Sequence, residues 1–409
     1  MSAARRFLSR SSRFLPAVPG VVLLFVVAHF AHHLVTALPV PLLPFIRDEF
    51  GLDYTRAALV VSAFSVPYGI AQLPSGWLAD RVGPRLLLLV GTSGVASAGL
   101  LVGVSTTYMM LLLALAVMGL LGGGYHPSAP AVISSVTSEA HRGSALGLHM
   151  IGGSVAYFAA PLIAAGIAVA AGWRSAFVAL AIPSIIFGFV FYRVLARSEK
   201  PEDRQEEEQV VAVSEDTGVN WHRLVTFLVL SCFTAAIVLA CLAFIPLYLV
   251  DTYEYAEHGA AAAVSLFYST GLWAAVAGGY AADRLGNVRV VAILALLSGP
   301  ALVFLGLASS DVLVMALLLY LGVALYARAP ASESFVLSQS PARRRSTVLG
   351  LYYFGAMEGN GVLAPVVGYL IDRYGFSTAY TVSGIAMIAV ALVCALALLR
   401  WRHVKQASG

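Results

Sequence analysis

The run AHFAHHLVTALP places His29, His32 and His33 among Ala, Val, Leu and Phe, inside 33 residues without a formal charge between Arg13 and Arg47. A neutral imidazole both donates and accepts hydrogen bonds, and its protonated form attracts anions. At about 100° per residue, His29, His32, His33 and Thr36 share one helical stripe roughly 100° wide. Lipid would penalise that stripe, so it must face protein or a water-filled space. Either it lines a cavity, or each ring simply bonds a neighbouring helix. Pro39, Pro41 and Pro44 then loosen the end of this segment.

Other polar side chains lie in equally apolar surroundings: Tyr125, His126, His149, Arg328, Glu333 and Glu358. Arg328 is permanently charged, and a guanidinium can grip a carboxylate or phosphonate through two parallel hydrogen bonds. Glu358 lies beside Gly355, Gly359 and Gly361 with no charged neighbour in sequence. Burial raises a carboxylate's pKa towards the working range, which makes Glu358 the first candidate to carry a coupling proton. His149 and Glu333 are the alternatives. Arg328 and Glu333 are five apart, poorly placed to pair on one helix face. Arg328 is expected to pair across an interface, and Glu333 to serve a gate near Arg343, Arg344 and Arg345.

The elements that must hold these groups are spanning helices. Of 409 residues, 59% are hydrophobic and 11% charged, against about 25% charged in soluble domains. Mean hydropathy is +0.85. A span needs about 20 apolar residues. The charge-poor runs supply twelve, continuous rather than alternating, which favours helices over a barrel. Twenty Lys and Arg fall on one side and four on the other if both termini are inside. The chain is therefore expected to be a multi-pass protein of the cell (inner) membrane with cytoplasmic termini. The scattered arginines leave no nucleic-acid footprint. Cys232, Cys241 and Cys394 lack metal spacing, so no metal site is expected. The partners expected are the lipid bilayer and a small anionic or amphipathic molecule, with the chain acting as a monomer.

The segment RSEKPEDRQEEEQVVAVSEDTGVNWHR holds eight of the 21 acidic residues and reads as a polar linker. It divides the chain into 1–196, a six-helix bundle; 197–221, a cytoplasmic linker; and 222–409, a second six-helix bundle. The halves repeat. GWLADRVGPR at 76–85 returns as GYAADRLGNV at 279–288, 203 residues later, and the same offset aligns Pro127 with Pro330 and Arg142 with Arg345. Parallel repeats of this kind place a substrate site between the halves.

GWLADRVGPR resembles the signature loop of the major facilitator superfamily, Gly-x-x-x-Asp-Arg-x-Gly-x-Arg. The degenerate second copy, the twelve spans and the linker fit the same family. The resemblance implies an all-α membrane protein of two pseudo-symmetric bundles rocking about a central cavity. It implies a gating loop of Gly76, Asp80, Arg81, Gly83 and Arg85, with Asp283 and Arg284 in the second copy, and a close approach of the second and eleventh helices at Gly76. Helices 1, 4, 7 and 10 line the cavity in the family, so His29, His33, Thr36, Tyr125, His126 and Arg328 are the implied substrate contacts. The arginine that proton-coupled members often carry before GLLGGGYHP is absent, its place falling near Ala116. Span 5 keeps Pro161 with small neighbours but lacks the Gly-Pro pair of antiporters. More narrowly, TALPVPLLP, AQLPSGWLADR and GGGYHPSA are similar to the fosmidomycin-resistance-like efflux branch.

The leading reading is a secondary transporter working by alternating access, in which a proton gradient drives efflux of a small organic anion or drug. Uptake symport of a carboxylate, sugar or phosphate ester is the alternative within transport, and a non-transporting sensor or scaffold the alternative outside it. A membrane enzyme using His29, His32 and His33 as metal ligands is disfavoured, because no HExxH, nucleophile elbow or flanking acidic pair occurs. No Gly-x-x-x-x-Gly-Lys-Ser/Thr loop occurs either, so no cofactor is expected and energy comes from an ion gradient. Asp80→Asn is expected to leave folding nearly intact but slow transport severely. Initial rates in liposomes matched for protein content test this, and equal rates would remove Asp80 from the gate.

Overall fold

In hydrocarbon each backbone N–H and C=O must find its partner within the protein. The computed structural model describes residues 20–137, 139–198, 220–340 and 345–407, and among them every regular element is a helix. Span 1 is Gly20–Thr36, followed by a short helix, Leu43–Phe50. Span 2 is Tyr54–Val82. Span 3 runs from Pro84 to Gly103 through a π-helical turn at Val90–Gly94. Span 4 is Tyr108–Gly122 continued by Tyr125–Ser135, span 5 Glu139–Ala171 and span 6 Trp173–Ser198.

The second set follows the same plan. Span 7 is Trp221–Leu242, followed by the short helix Ile245–Tyr253. Span 8 runs from Glu257 to Leu285 with a 42° bend near Trp273. Span 9 is Asn287–Gly306 and span 10 Asp311–Gln339. Span 11 starts at Arg345, makes a π-helical turn at Phe354–Glu358 and continues from Asn360. Gly375, with φ 78°, breaks the 48-residue helix Asn360–Ala407 into the end of span 11 and span 12. The architecture is the expected all-helical membrane bundle. The 197–221 linker lies almost entirely outside the described residues.

The 203-residue repeat is visible in backbone detail. Gly83 and Gly286, which end spans 2 and 8, have φ of 84° and 88°. Gly172 and Gly375, before spans 6 and 12, have φ of 82° and 78°. A side chain at these angles would crowd the backbone, so glycine recurs at these two turns, whereas the turn at Gly51, with φ 59°, is matched by Glu254 with φ 57°. Thr107 and Ser310, again 203 apart, cap spans 4 and 10 by accepting from the N–H groups of Met110 and Leu313. Arg81 stacks over Trp77 with 4.2 Å to the ring centre, and Arg284 over Tyr280 with 4.3 Å.

Small residues set the helix spacing, because lipid supplies no hydrophobic push between spans and close packing must do that work. A Cβ on Gly119 of span 4 would run into the carbonyl of Phe64 in span 2, and one on Gly322 of span 10 into that of Phe267 in span 8. Both glycines and both carbonyls obey the same offset. Between the halves, span 2 packs along span 11: Gly69 abuts Phe354 and Glu358, Gly361 abuts Ser65 and Val66, and Gly368 abuts Tyr54. Gly76, expected to make this approach, has its surroundings outside the described residues. Span 5 meets span 8, where Tyr157 and Tyr268 lie with ring centres 4.9 Å apart.

Gly322→Ala is expected to destabilise the detergent-solubilised protein by about 1–3 kcal/mol, the usual penalty for overpacking. Gly166→Ala should be near neutral, because nothing lies within 4 Å of a Cβ there. Melting temperatures by intrinsic fluorescence check both, and equal shifts would refute the close-approach account.

Candidate functional site

Five histidines that the sequence scatters over 120 residues converge on one chamber in the first half. Span 1 supplies His29, His32 and His33, which are 1%, 0% and 6% exposed. Span 4 supplies His126 and Tyr125 from just beyond the break at Gly123 and Gly124, and span 5 supplies His149. The chamber exists because glycines admit the rings. A Cβ on Gly153 would lie 2.6 Å from the His29 ring, and one on Gly91 would lie 2.8 Å from Tyr125 Cβ. His29 stacks on His149 with ring centres 4.2 Å apart, and His32 on Tyr125 at 4.6 Å.

Backbone carbonyls only accept, and this fixes where the protons sit. His32 Nδ1 donates to the Gly91 carbonyl at 2.6 Å, so its neutral Nε2 accepts from the Tyr68 hydroxyl at 2.8 Å. His29 Nδ1 donates to the His149 carbonyl at 2.9 Å, and His149 Nδ1 to the Phe25 carbonyl at 3.1 Å. His33 Nδ1 pairs with Thr36 Oγ1 at 3.0 Å. His32 therefore serves helix-to-helix bonding with both nitrogens. His29 Nε2 is buried and has no partner. His126 is only half-buried. Among the described residues His29, His33 and His126 bring three ligand nitrogens within 4.8 Å of one another.

The repeat offset carries Tyr125 onto Arg328 and His29 onto Cys232. Arg328 accordingly sits in span 10 at the position equivalent to the histidine chamber, 2% exposed. Its Nη1 donates to Ser231 Oγ at 2.6 Å, and Ser231 Oγ donates to Ser332 Oγ at 2.8 Å. Its Nε has no partner. The expected pairing of Arg328 across the interface is not what the fold builds: Ser231 belongs to span 7 of the same half, and Arg328 makes no ion pair among the described residues. Glu333 lies near Tyr353 of span 11 and within the field of Arg328. Arg343 and Arg344 lie outside the described residues, as does the side chain of Arg345, so the gate proposed for Glu333 has no described partner there.

Glu358 occupies the last position of the π-turn in span 11 and is 8% exposed. It faces span 2 of the other half, with Gly69 opposite its Cβ and Ser65 as a hydrogen-bonding neighbour. A π-turn offsets the helix face by one residue and is common where a side chain must be re-aimed. Span 2 also carries Tyr68, which bonds His32, so the carboxyl and the histidine chamber meet neighbouring faces of one helix.

Of the gating loop, Arg81, Asp283 and Arg284 are exposed at the end where the described chain starts and finishes, and Arg85 lies over Tyr192 at 5.2 Å. The surroundings of the Asp80 side chain lie outside the described residues.

The opposite end is closed by a lock that sequence reasoning missed. Arg47 from the first half pairs with Asp251 from the second and with Asp48 at 2.6 Å. The Tyr54 hydroxyl donates to Asp251 at 2.7 Å. Asp372, at the end of span 11, accepts from the backbone N–H groups of Tyr54 and Thr55 at 2.8 and 2.9 Å and from the Thr55 hydroxyl at 2.5 Å. It caps span 2 from the other half, meeting both the free N–H groups and the positive end of the helix dipole. Beside it, Arg174 donates to Glu49 at 2.5 and 2.6 Å, and those bonds hold the Glu49 carboxyl below the usual carboxylate range. The signal was present: Asp48 and Asp251 are themselves 203 apart.

A family model for the Major Facilitator Superfamily matches residues 25–272 and 243–409. A protein named "Probable sulfoacetate transporter" from Cupriavidus necator is 28% identical, over 86% of this chain and 87% of its own. The D-galactonate transporter of Escherichia coli is 26% identical over 84% and 87%, and the hexuronate transporter of Bacillus subtilis 23% over 88% of each. Among solved structures, a bacterial homologue of the human lysosomal transporter Spinster, in an inward-facing and occupied conformation, superposes with a TM-score of 0.73 at 17% identity, covering 93% of this chain and 96% of that one.

Asp372→Ala is expected to weaken the closed end by about 0.5–2 kcal/mol, the usual cost of a lost helix cap, or roughly 2- to 30-fold in the open-to-closed ratio. Thiol labelling of a cysteine placed at buried Ala58, in a chain whose Cys232, Cys241 and Cys394 are replaced, measures that ratio. Unchanged labelling would mean that Asp372 does not hold this end.

Proposed function

The chain belongs to the major facilitator superfamily, and from that premise we propose that this secondary transporter carries small organic acids, with Arg328 as the group that holds their negative charge. Arg328 carries the reading. A permanent cation buried in a spanning helix is costly, and Ser231 offers it a neutral partner that leaves its charge uncompensated. A carboxylate or sulfonate supplies the missing charge and two acceptors for the guanidinium fork. The relatives named above carry sulfoacetate, galactonate and hexuronate by name, which favours an acid over a drug-like cargo and lends no separate support to the fosmidomycin-resistance-like branch. His126, half-buried and next in sequence to Tyr125, the repeat counterpart of Arg328, offers hydrogen bonds to the rest of such a molecule, as does its ring neighbour His33 with Thr36.

With cytoplasmic termini, the lock of Arg47, Tyr54, Asp251 and Asp372 closes the outer face. Rocking of residues 1–196 against 222–409, joined by the linker, breaks that lock and closes the loop around Asp80 and Asp283. The coupling ion is a proton on Glu358, placed where the halves meet so that its charge state biases their packing, with Glu333 and His149 as the next candidates. The small residues around Pro161 are the feature that favours efflux; the direction of coupling separates efflux from uptake symport. The working unit is a monomer.

Arg328→Gln is expected to lower affinity for galactonate or sulfoacetate by at least about tenfold, because a desolvated charge-assisted pair is worth roughly 1.5–3 kcal/mol. Binding to purified protein measures it, and unchanged affinity would remove Arg328 from the site. Glu358→Gln should abolish accumulation driven by a pH gradient while retaining counterflow exchange, which needs no net proton movement. Gradient-driven accumulation by that variant would move the coupling proton elsewhere, and the sign of the driving gradient in wild type distinguishes export from import.

A further inference from the structure

We propose that His29, His33 and His126 form a binding site for a divalent transition-metal ion of the zinc type, with one coordination position left open. Ring spacing is the first argument. The ring centres lie 4.8 Å apart for His29 and His33, 5.3 Å for His29 and His126, and 5.2 Å for His33 and His126. An imidazole nitrogen binds zinc at about 2.0–2.1 Å, which puts each ring centre about 3.2 Å from the ion and three tetrahedrally arranged centres roughly 5 Å apart. The backbone therefore already holds the three rings at the required spacing. The ligand nitrogens lie within 4.8 Å of one another, against about 3.4 Å between two nitrogens on a tetrahedral zinc ion, so small ring tilts that keep the Nδ1 bonds suffice.

Hydrogen bonding selects the same three from the five. His32 has both nitrogens engaged, by Gly91 and Tyr68. His149 is turned towards the Phe25 carbonyl. His29, by contrast, donates from Nδ1 to the His149 carbonyl and presents a buried, unpartnered Nε2 lone pair. A ring N–H held by a carbonyl is the usual outer support of a metal-binding histidine, fixing the tautomer and raising the basicity of the free nitrogen. His33 Nδ1 pairs with the Thr36 hydroxyl, which can accept its proton and leave Nε2 for the ion. Neutral imidazole is the ligand type that suits zinc, copper and nickel rather than magnesium or calcium. Three neutral ligands leave the ion's double charge uncompensated in a low-dielectric setting, so the open position favours an anion. Half-buried His126 marks the side from which it would enter. The site stands on this geometry alone and does not need the organic-acid reading.

The test uses untagged, purified full-length protein with zinc or cobalt alone. Calorimetry is expected to give one zinc per chain, cobalt a tetrahedral absorption spectrum, and X-ray absorption of the zinc form three imidazole nitrogens in the first shell. His126→Ala and His33→Ala should each weaken zinc at least about tenfold, the scale of loss seen even for supporting residues around a metal. His258→Ala, at the exposed start of span 8, should leave zinc binding unchanged. Fewer than three imidazoles around the ion, no stoichiometric binding, or binding unaltered in folded His126→Ala would overturn the site. If either chamber variant fails to fold, the wild-type X-ray absorption spectrum decides alone.

Discussion

A polar group inside a bilayer has no water to turn to, and the arrangement of this protein follows from where each such group finds its partner. Three of the five chamber histidines solve the problem by bonding to carbonyls of neighbouring spans: Gly91 for His32, His149 for His29, Phe25 for His149. These bonds tie spans 1, 3 and 5 together at one depth, and the glycines at 91, 152 and 153 let the helices come close enough to make them. Had the rings found no carbonyls, the stripe on span 1 would be a liability. With them it becomes a bonded wall, and His29 Nε2 and Arg328 Nε are among the buried groups that, among the described residues, are left without a partner and open to a ligand.

The two halves use one backbone plan for different chemistry. Offsetting by 203 residues superimposes the turns, the caps and the glycine contacts, yet it replaces Tyr125 by Arg328 and His29 by Cys232. One half therefore presents neutral, lone-pair-bearing rings and the other a fixed cation. A duplicated scaffold keeps the helix geometry, which depends on small residues and turn glycines. It frees the inward-facing positions, which carry no packing duty that the repeat must preserve.

The contacts between the halves divide by strength. Along their length spans 2 and 11 meet through glycines and one carboxyl, Glu358. At the closed end they meet through charged hydrogen bonds: Asp372 on the start of span 2, and Arg47 and Tyr54 on Asp251. The helix-end lock is directional and exposed to water, so it can be broken and re-formed at modest cost. The glycine seam carries no ion pair among the described residues; there the Ser62 hydroxyl donates to the Gly361 carbonyl at 2.6 Å. A single carboxyl in such a seam is well placed to bias it, because its charge is costly when the seam is dry and cheap when it is wet.

The sequence alone determined the spans, the duplication and the polar positions that lipid would not tolerate. Each follows from local quantities: apolar run length, a constant offset, and the cost of a charge in hydrocarbon. It placed Arg328 and Glu358 as isolated groups and put His29, His32 and His33 on one stripe, because 3.6 residues per turn fixes which side chains share a face. Tertiary structure decided which nitrogen of His29 is free, that His126 joins His29 and His33 in one ligand set while His32 does not, and that Arg328 rests on Ser231 rather than on an acid. It also decided that Asp372, 318 residues from Tyr54, caps span 2. These outcomes depend on how far one helix is turned and shifted against another. That is set by the packing of glycines across many spans at once, and no run of the sequence, read along its own length, contains it.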